Sequence, residues 1–341
     1  MILFNRINNP TSLDLHSIES DLSEGKTVLI QFSEKVYDDK LLAELNKLCA
    51  RYNELLEIRF YGHYEDKGYF DCKILEKLPD VKSLYMDCLY HVENLSFLPR
   101  LKHLHTLGIG FFELKDTEIL NSDNLKSLQK LLLFDTRTKA LNLEYLREYQ
   151  KLKYLICCGH TKNVEAIGEI ANLEYLSLNS ISKVPIYFVN KLKKLKTLKF
   201  ILGGRSDINE IEDNEIEELE IIRVRGFNEF KNTTSFGNLK KLQIEDQIQL
   251  TELVFDKPLH HLEEVAVLNC RNFALLKGLE KLESLKRLWI YKTSLDFDSL
   301  INSQLPKSLD VFGFYTSKAR IDKDIQSRIK SLGYQNRLAE V

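Results

Sequence analysis

The chain has 341 residues, with 48 basic against 50 acidic side chains and 44% hydrophobic residues. That balance excludes intrinsic disorder and collagen-like repeats, and a net charge of −2 supplies no global field for nucleic acid or an anionic membrane. Leu alone accounts for 59 residues, an excess that any account of the fold must place.

No apolar stretch approaches the roughly 18 residues of a membrane helix. The N-terminus lacks a basic segment followed by an apolar run, so no secretory signal and a cytoplasmic location are expected. The six cysteines, Cys49, Cys72, Cys88, Cys157, Cys158 and Cys270, are scattered through the chain and are expected to be reduced thiols.

In chain order, residues 1–54 predict an α/β cap, with a helix over 11–22, a strand over 26–32 and an amphipathic helix over 38–53. From Leu55 onward the pattern LxxLxL recurs, starting at Leu55, Val81, Leu104, Leu128, Leu152, Leu173, Leu195, Ile216, Leu239, Leu262, Leu285 and Leu309. Successive starts lie 21 to 26 residues apart. The apolar fourth and sixth positions alternate with polar or variable ones, which predicts a strand with one buried face. Between strands a second apolar set recurs, as in Val164, Ile167, Ile170 and Leu173, or Phe273, Leu276, Leu279 and Leu282. It predicts short α or 3-10 segments. Near the end, 322–332 places Ile325, Ile329 and Leu332 on one helical face before Gly333, which predicts a C-terminal cap over 317–341. No linker interrupts the series, so one domain is expected, with repeats over 55–316 between two caps.

This register and period resemble the leucine-rich repeat family, whose core reads LxxLxLxxN/CxL. The resemblance implies an α/β horseshoe solenoid, with about twelve stacked parallel strands on the concave face and short α or 3-10 segments on the convex one. One departure concerns the ninth position, which reads His63, Leu89, Phe112, Thr136, His160, Ile181, Gly203, Val224, Gln247, Cys270 and Thr293. The family's Asn ladder is missing, and irregular turns are expected after the strands.

In such a horseshoe the third, fifth and seventh positions face the concave surface. The fifth collects Arg59, Tyr85, Leu132, Ile156, Lys199, Glu220 and Trp289, and the seventh Tyr61, Asp87, Phe134, Glu245, Tyr291 and Tyr315. Tyr154, Tyr175, Glu218 and Arg287 stand at the third. These residues form the candidate protein-binding surface. Within it lie an apolar patch around Leu132, Phe134 and Ile156, an acidic strip of Glu218, Glu220, Glu245 and Glu264, and an aromatic patch around Trp289, the single Trp. Trp, Tyr and Arg are the residue types that most often carry interface energy. The strip adjoins a basic run, Lys191–Lys199, which reads either as steering charge or as charges that pair with neighbouring repeats.

Chemistry is sparse. Cys157 takes a core position and Cys158 the opposite face, so CCGH at 157–160 cannot hold one ion, and the pair His103 and His105 lacks partners at ligand spacing. LGGRSD at 202–207 lacks the GKS or GKT ending of a phosphate loop. No enzyme activity, catalytic set, cofactor, metal or small-molecule substrate is expected. The resemblance implies a non-enzymatic module holding a protein partner on its concave face, with an immunity protein neutralising a cognate toxin as one form of that role. The alternatives are an effector engaging host proteins, and nucleic-acid binding through the Lys191–Lys199 run.

Overall fold

The computed structural model describes residues 4–63, 67–212 and 214–336. The ends of both expected caps, 1–3 and 337–341, and Asp213 in the acidic stretch after the Lys run, lie outside the described residues. The chain divides into two compact units, Met1–Asn172 and Leu173–Val341. The division falls at the first position of a repeat rather than in a linker.

The first unit contains β1 (Phe4–Asn8), α1 (Leu15–Ser23), β2 (Thr27–Phe32), α2 (Asp39–Arg51), β3 (Leu56–Tyr61), β4 (Tyr69–Asp71), β5 (Ser83–Leu89), β6 (His91–Glu93), β7 (Thr106–Phe111), β8 (Lys130–Leu133) and β9 (Tyr154–Cys158). Seven of its strands stack in parallel in the order β1-β2-β3-β5-β7-β8-β9, while β4 and β6 pair as a small separate sheet. The second unit contains β10 (Tyr175–Asn179), β11 (Thr197–Ile201), β12 (Glu218–Ile222), β13 (Lys241–Glu245), β14 (Glu252–Val254), β15 (Glu264–Leu268), β16 (Leu275–Lys277), β17 (Arg287–Tyr291), α3 (Phe297–Asn302), β18 (Val311–Tyr315) and α4 (Ala319–Ser331). Its main ladder runs β10-β11-β12-β13-β15-β17-β18, with β14 and β16 paired apart. Among the described residues no helix is long and apolar enough to cross a membrane.

All twelve repeat strands form. Within each unit they pair position for position, as where Leu198 opposes Leu219 and Phe200 opposes Ile221, except that the register between β5 and β7 shifts after Met86. At the fourth and sixth positions of every repeat the side chain is at most 3% exposed. Each such Leu, Ile or Phe contributes about 1.5–3 kcal/mol by leaving water. The segments behind the strands are mostly 3-10 turns, such as Leu95–Arg100, Leu143–Glu148 and Val164–Glu169. Their apolar residues recur every three positions, as in Leu143, Leu146, Tyr149 and Leu152, all fully buried. A 3-10 helix has three residues per turn, so that spacing puts Leu143 and Leu146 on one face, and Tyr149 and Leu152 continue the buried row past its end.

The N-terminal cap does more than close the end of the ladder, because it adds two strands of its own. Ile30 of β2 sits opposite Ile58 and Phe32 opposite Phe60, and β1, which no repeat pattern announces, pairs with β2 in turn. The cap helices start where Asp14 and Asp38 accept backbone N–H bonds from Ser17 and Leu41, the role of an N-cap carboxylate. At the other end α4 buries Ile325 and Ile329, but Leu332, expected on the same face, lies past the last turn and is 51% exposed. Beyond it Gln335 returns to the outer edge of β18, where Phe312 N–H donates to its carbonyl at 3.0 Å and its own N–H donates to Asp310 at 2.8 Å. This covers part of an edge that would otherwise offer unpaired backbone groups.

The turns after the strands are more regular than the missing Asn ladder implies. In nine of the twelve repeats the eighth residue adopts a positive φ; two are Gly62 and Gly159, and the others include Leu202, Arg223, Asp246, Asn269 and Lys292. In the second unit this residue's N–H donates to the seventh-position carbonyl of the next strand: Leu202 to Ile222 at 2.8 Å, Arg223 to Glu245 at 3.0 Å, Asp246 to Leu268 at 2.9 Å and Asn269 to Tyr291 at 2.7 Å. The ninth residue then fills the Asn role with other chemistry. Gln247 donates to the carbonyls of Ile221 and Glu245, and the Cys270 thiol reaches those of Leu268 and Ile244. His160 accepts from Leu141 N–H on Nδ1, so its proton resides on Nε2 and is donated to Phe134 O at 2.9 Å.

Two expectations follow. Leu202 is 46% exposed and holds φ +60°, a conformation costing a non-glycine residue about 1–2 kcal/mol. Leu202→Gly therefore raises the urea midpoint, whereas Gly203→Ala lowers stability by about 2 kcal/mol or more, because its Cβ would meet Ile181 O at 2.2 Å. Burial pushes the His160 pKa down, so the folded state prefers the neutral ring. Its contribution is complete above the unfolded value and is lost as pH falls through the folded one. In urea titrations at a series of pH values below neutrality, His160→Asn should flatten the acid-side decline, and an unchanged profile would count against this assignment.

Candidate functional site

The candidate surface is the face of the strands carrying the third, fifth and seventh positions, opposite the 3-10 layer. Strand alternation decides which side chains stand there, and lateral neighbours about 4.8 Å away decide what they touch.

In the first unit the face begins with a polar network. Arg59 binds Asp87 through both ends of its guanidinium, Nε to Oδ1 at 2.8 Å and Nη2 to Oδ2 at 2.9 Å, and donates from Nη1 to Gln31 Oε1 at 3.2 Å. Gln31 in turn donates to Asn8, so the network crosses β1, β2, β3 and β5. Tyr61 lies under the Arg59 guanidinium, 4.4 Å from ring centre to Cζ. Asp87 is 8% exposed, and a carboxylate that deep requires such a partner. Tyr85 donates to Glu57 at 3.1 Å. Burial raises the pKa of both groups, and the neighbouring Glu57 carboxylate raises that of Tyr85 further. The Tyr85 ring reaches that position because β7 carries Gly108 beneath it; a Cβ there would stand 2.5 Å from Tyr85 Cδ1.

Next along the ladder stand Leu132, Phe134, Tyr154, Ile156 and Cys158. Leu132 is nearly closed off by its neighbours at 9% exposure, and the other four are half-buried. Lys130 Nζ lies 5.2 Å from the Tyr154 ring centre. Behind them Cys157 is fully buried, with its thiol directed to His160 O at 3.5 Å and its pKa pushed up by burial. Cys157 and Cys158 thus point to opposite sides of the strand. Among the described residues no three His, Cys, Asp or Glu side chains come together as a metal site.

In the second unit Tyr175 lies beneath Lys199, whose Nζ is 5.6 Å from the ring centre. Lys199 also pairs with Glu220 at 2.9 Å. Acids and bases of neighbouring repeats neutralise one another along the columns: Lys196 and Lys240 both meet Glu217, at 3.0 Å and 2.6 Å, and Arg287 and Lys241 both meet Glu264, at 2.8 Å and 3.4 Å. Glu218 accepts from Thr197, and Glu245 from Gln243. At the far end Trp289 is 8% exposed and packs with Ala266, Leu268 and Val311, with Tyr291 against them. Tyr291 and Tyr315 meet edge to face at 6.1 Å, and Tyr315 donates to Asn336 at 2.9 Å.

Each candidate binding residue stands on this face of its own unit. Column reading did not find Asn8, Gln31 and Glu57, which complete the Arg59 and Tyr85 networks. Placing the 26–32 strand in register with the repeat at Leu55 would have found Gln31, since it lies opposite Arg59.

No family model matches the chain, and none of the curated proteins matches it. Among solved structures, an internalin (InlF) from Listeria monocytogenes is similar over 92% of this chain and 86% of its own, at 15% identity and a TM-score of 0.51. Internalin C2 of the same organism covers 74% of this chain and 92% of its own at 17% identity and a TM-score of 0.36. The functional domain of InlJ, described as including a cysteine ladder, covers 91% and 72% at 14% identity and a TM-score of 0.40. The likeness to the first is one of fold. Together with the stacked parallel strands it makes this chain a leucine-rich repeat solenoid.

The burial of Trp289 has a direct optical consequence. Fluorescence of the free protein should be blue-shifted and resist acrylamide, and Trp289→Ala should cost about 3 kcal/mol in chemical unfolding. Emission typical of a water-exposed indole would contradict the packing described.

Proposed function

We propose that this solenoid is a non-enzymatic protein-binding module whose open face holds one protein partner. The observation that carries the reading is that the charged groups of this face are already satisfied laterally. Arg59 is committed to Asp87, Lys199 to Glu220 and Arg287 to Glu264. What the face still offers is half-buried apolar and aromatic surface, Phe134, Tyr154 and Ile156 in the first unit and Tyr291 and Tyr315 in the second. Such surface gains free energy when a partner covers it. The same lateral bonds fix the side chains beforehand, which lowers the ordering cost of association.

Within this reading, neutralisation of a cognate toxin in the cytoplasm is the form of the role we favour, because sequestration benefits most from a face that need not rearrange. An effector engaging host proteins would use the same surface and differ only in its partner. Nucleic-acid binding through the Lys191–Lys199 run has less support, since Lys196 and Lys199 are engaged with Glu217 and Glu220.

The test is affinity capture from the chain's own cell extract. Phe134→Asp and Tyr315→Ala should each reduce recovery of a specific partner about tenfold or more. Tyr187→Asp, on the 3-10 side and 54% exposed, should leave recovery unchanged. Equal recovery by all three variants would remove the open face from consideration. Co-expression with the product of a neighbouring gene, scored by growth, then separates toxin neutralisation from the effector role.

A further inference from the structure

A second surface lies where the chain leaves β12, β13 and β15. The eighth residues of these three repeats, Arg223, Asp246 and Asn269, hold φ between +53° and +56°, and each N–H is bonded to the following strand. Two positions further on, the tenth residues are Arg225, Ile248 and Arg271. Together these columns line a groove of about 640 Å3 in the second unit. The turns that line it share one backbone geometry held by these hydrogen bonds, so the groove exists before anything enters it.

The side chains around it are unusual for a surface turn. Ile248 is 69% exposed, more than any other large hydrophobic residue among those described. Arg223 is committed to Asp246 at 2.7 Å. Arg225 and Arg271 are both exposed and have no carboxylate or other side-chain partner among the described residues. This contrasts with the open face, where arginines and lysines pair across strands. Adjacent strands lie about 4.8 Å apart, which sets Arg225 and Arg271 roughly 10 Å from one another with Ile248 between them.

We infer that this groove binds an acidic protein segment in extended conformation, with two carboxylates four residues apart and an apolar side chain midway between them. In an extended chain side chains alternate, so residues i, i+2 and i+4 share one face, and carboxylates at its two ends span about 13 Å, within reach of two arginines whose backbones lie about 10 Å apart. A guanidinium takes a carboxylate through two parallel N–H bonds, which supplies direction as well as attraction. Ile248 then covers the intervening apolar side chain. A nucleic acid fits less well, because no aromatic side chain lines the groove for base stacking, and two uncommitted arginines match a short acidic motif better than a phosphate backbone. The inference is independent of the open face, whose candidate residues do not line this groove.

The test uses the full chain and fluorescence anisotropy with a labelled octapeptide containing Glu-Ser-Leu-Ser-Glu. Its controls are the same peptide with both Glu changed to Gln, the same with both changed to Lys, and an octathymidylate. The Glu peptide should bind, and the Gln peptide should bind about tenfold more weakly or worse. Arg225→Glu combined with Arg271→Glu should abolish binding of the Glu peptide and create binding of the Lys peptide, a gain that mere damage to the fold would not produce. Ile248→Ser should weaken the Glu peptide while Tyr187→Asp leaves it unchanged. The proposal is overturned if the Glu peptide does not bind, if the double variant binds it as the wild type does, or if octathymidylate binds more tightly than the Glu peptide.

Discussion

No repeat of this chain can bury its own apolar face, and that constraint shapes the rest of the molecule. A strand of five or six residues has only its fourth and sixth side chains to contribute to a core, and they are shielded only when another strand lies on each side and a turn closes behind. The chain meets the constraint by returning every 21 to 26 residues to the same register. Behind the strands, 3-10 turns are favoured because three residues per turn keep every third Leu, Ile or Val on the inward side. At the ends, where a neighbour is missing, two cap strands and Gln335 supply backbone partners instead.

Stacking also dictates what polar side chains do. Wherever the chain leaves a strand, carbonyl groups are left inside the turn and need donors. The common answer in this fold is a column of Asn, but here Gln247, Cys270 and His160 each meet the demand at their own repeat. The requirement is a short donor at the right height rather than a particular amide. The left-handed eighth residue is the backbone counterpart, accepted even at Leu202 because its N–H thereby joins the ladder. Local conformational cost is offset by hydrogen bonds that only the stack can provide.

The two surfaces differ for the same reason. On the sheet face, charges of adjacent strands are close enough to find each other, so opposite charges in neighbouring repeats cancel laterally and leave apolar and aromatic groups uncommitted. At the exit turns such pairs are fewer, Arg223 with Asp246 being one. Arg225 and Arg271 remain available there while Arg287 on the sheet does not. One module thus presents an apolar, pre-ordered face and a cationic groove with an apolar centre.

Much of this was legible in the residues alone. Leu at fixed spacing gives the strands, their parallel stacking and the burial of the fourth and sixth positions, because a period repeated twelve times carries its own register. The same columns name the residues of the open face. What the sequence left undecided depends on neighbours across the stack. The strand at 4–8 has no repeat pattern and exists only because β2 offers it an edge. Trp289 reads as an exposed anchor in its column, yet Ala266 and Leu268 on one side and Val311 on the other close around it. The acidic strip reads as a charged surface until Lys199, Lys241 and Arg287 are seen to lie within reach. The sequence determined which side chains share a face, since alternation along a strand is local. Only the tertiary structure decided which of them remain available, since that depends on contacts between residues a whole repeat apart.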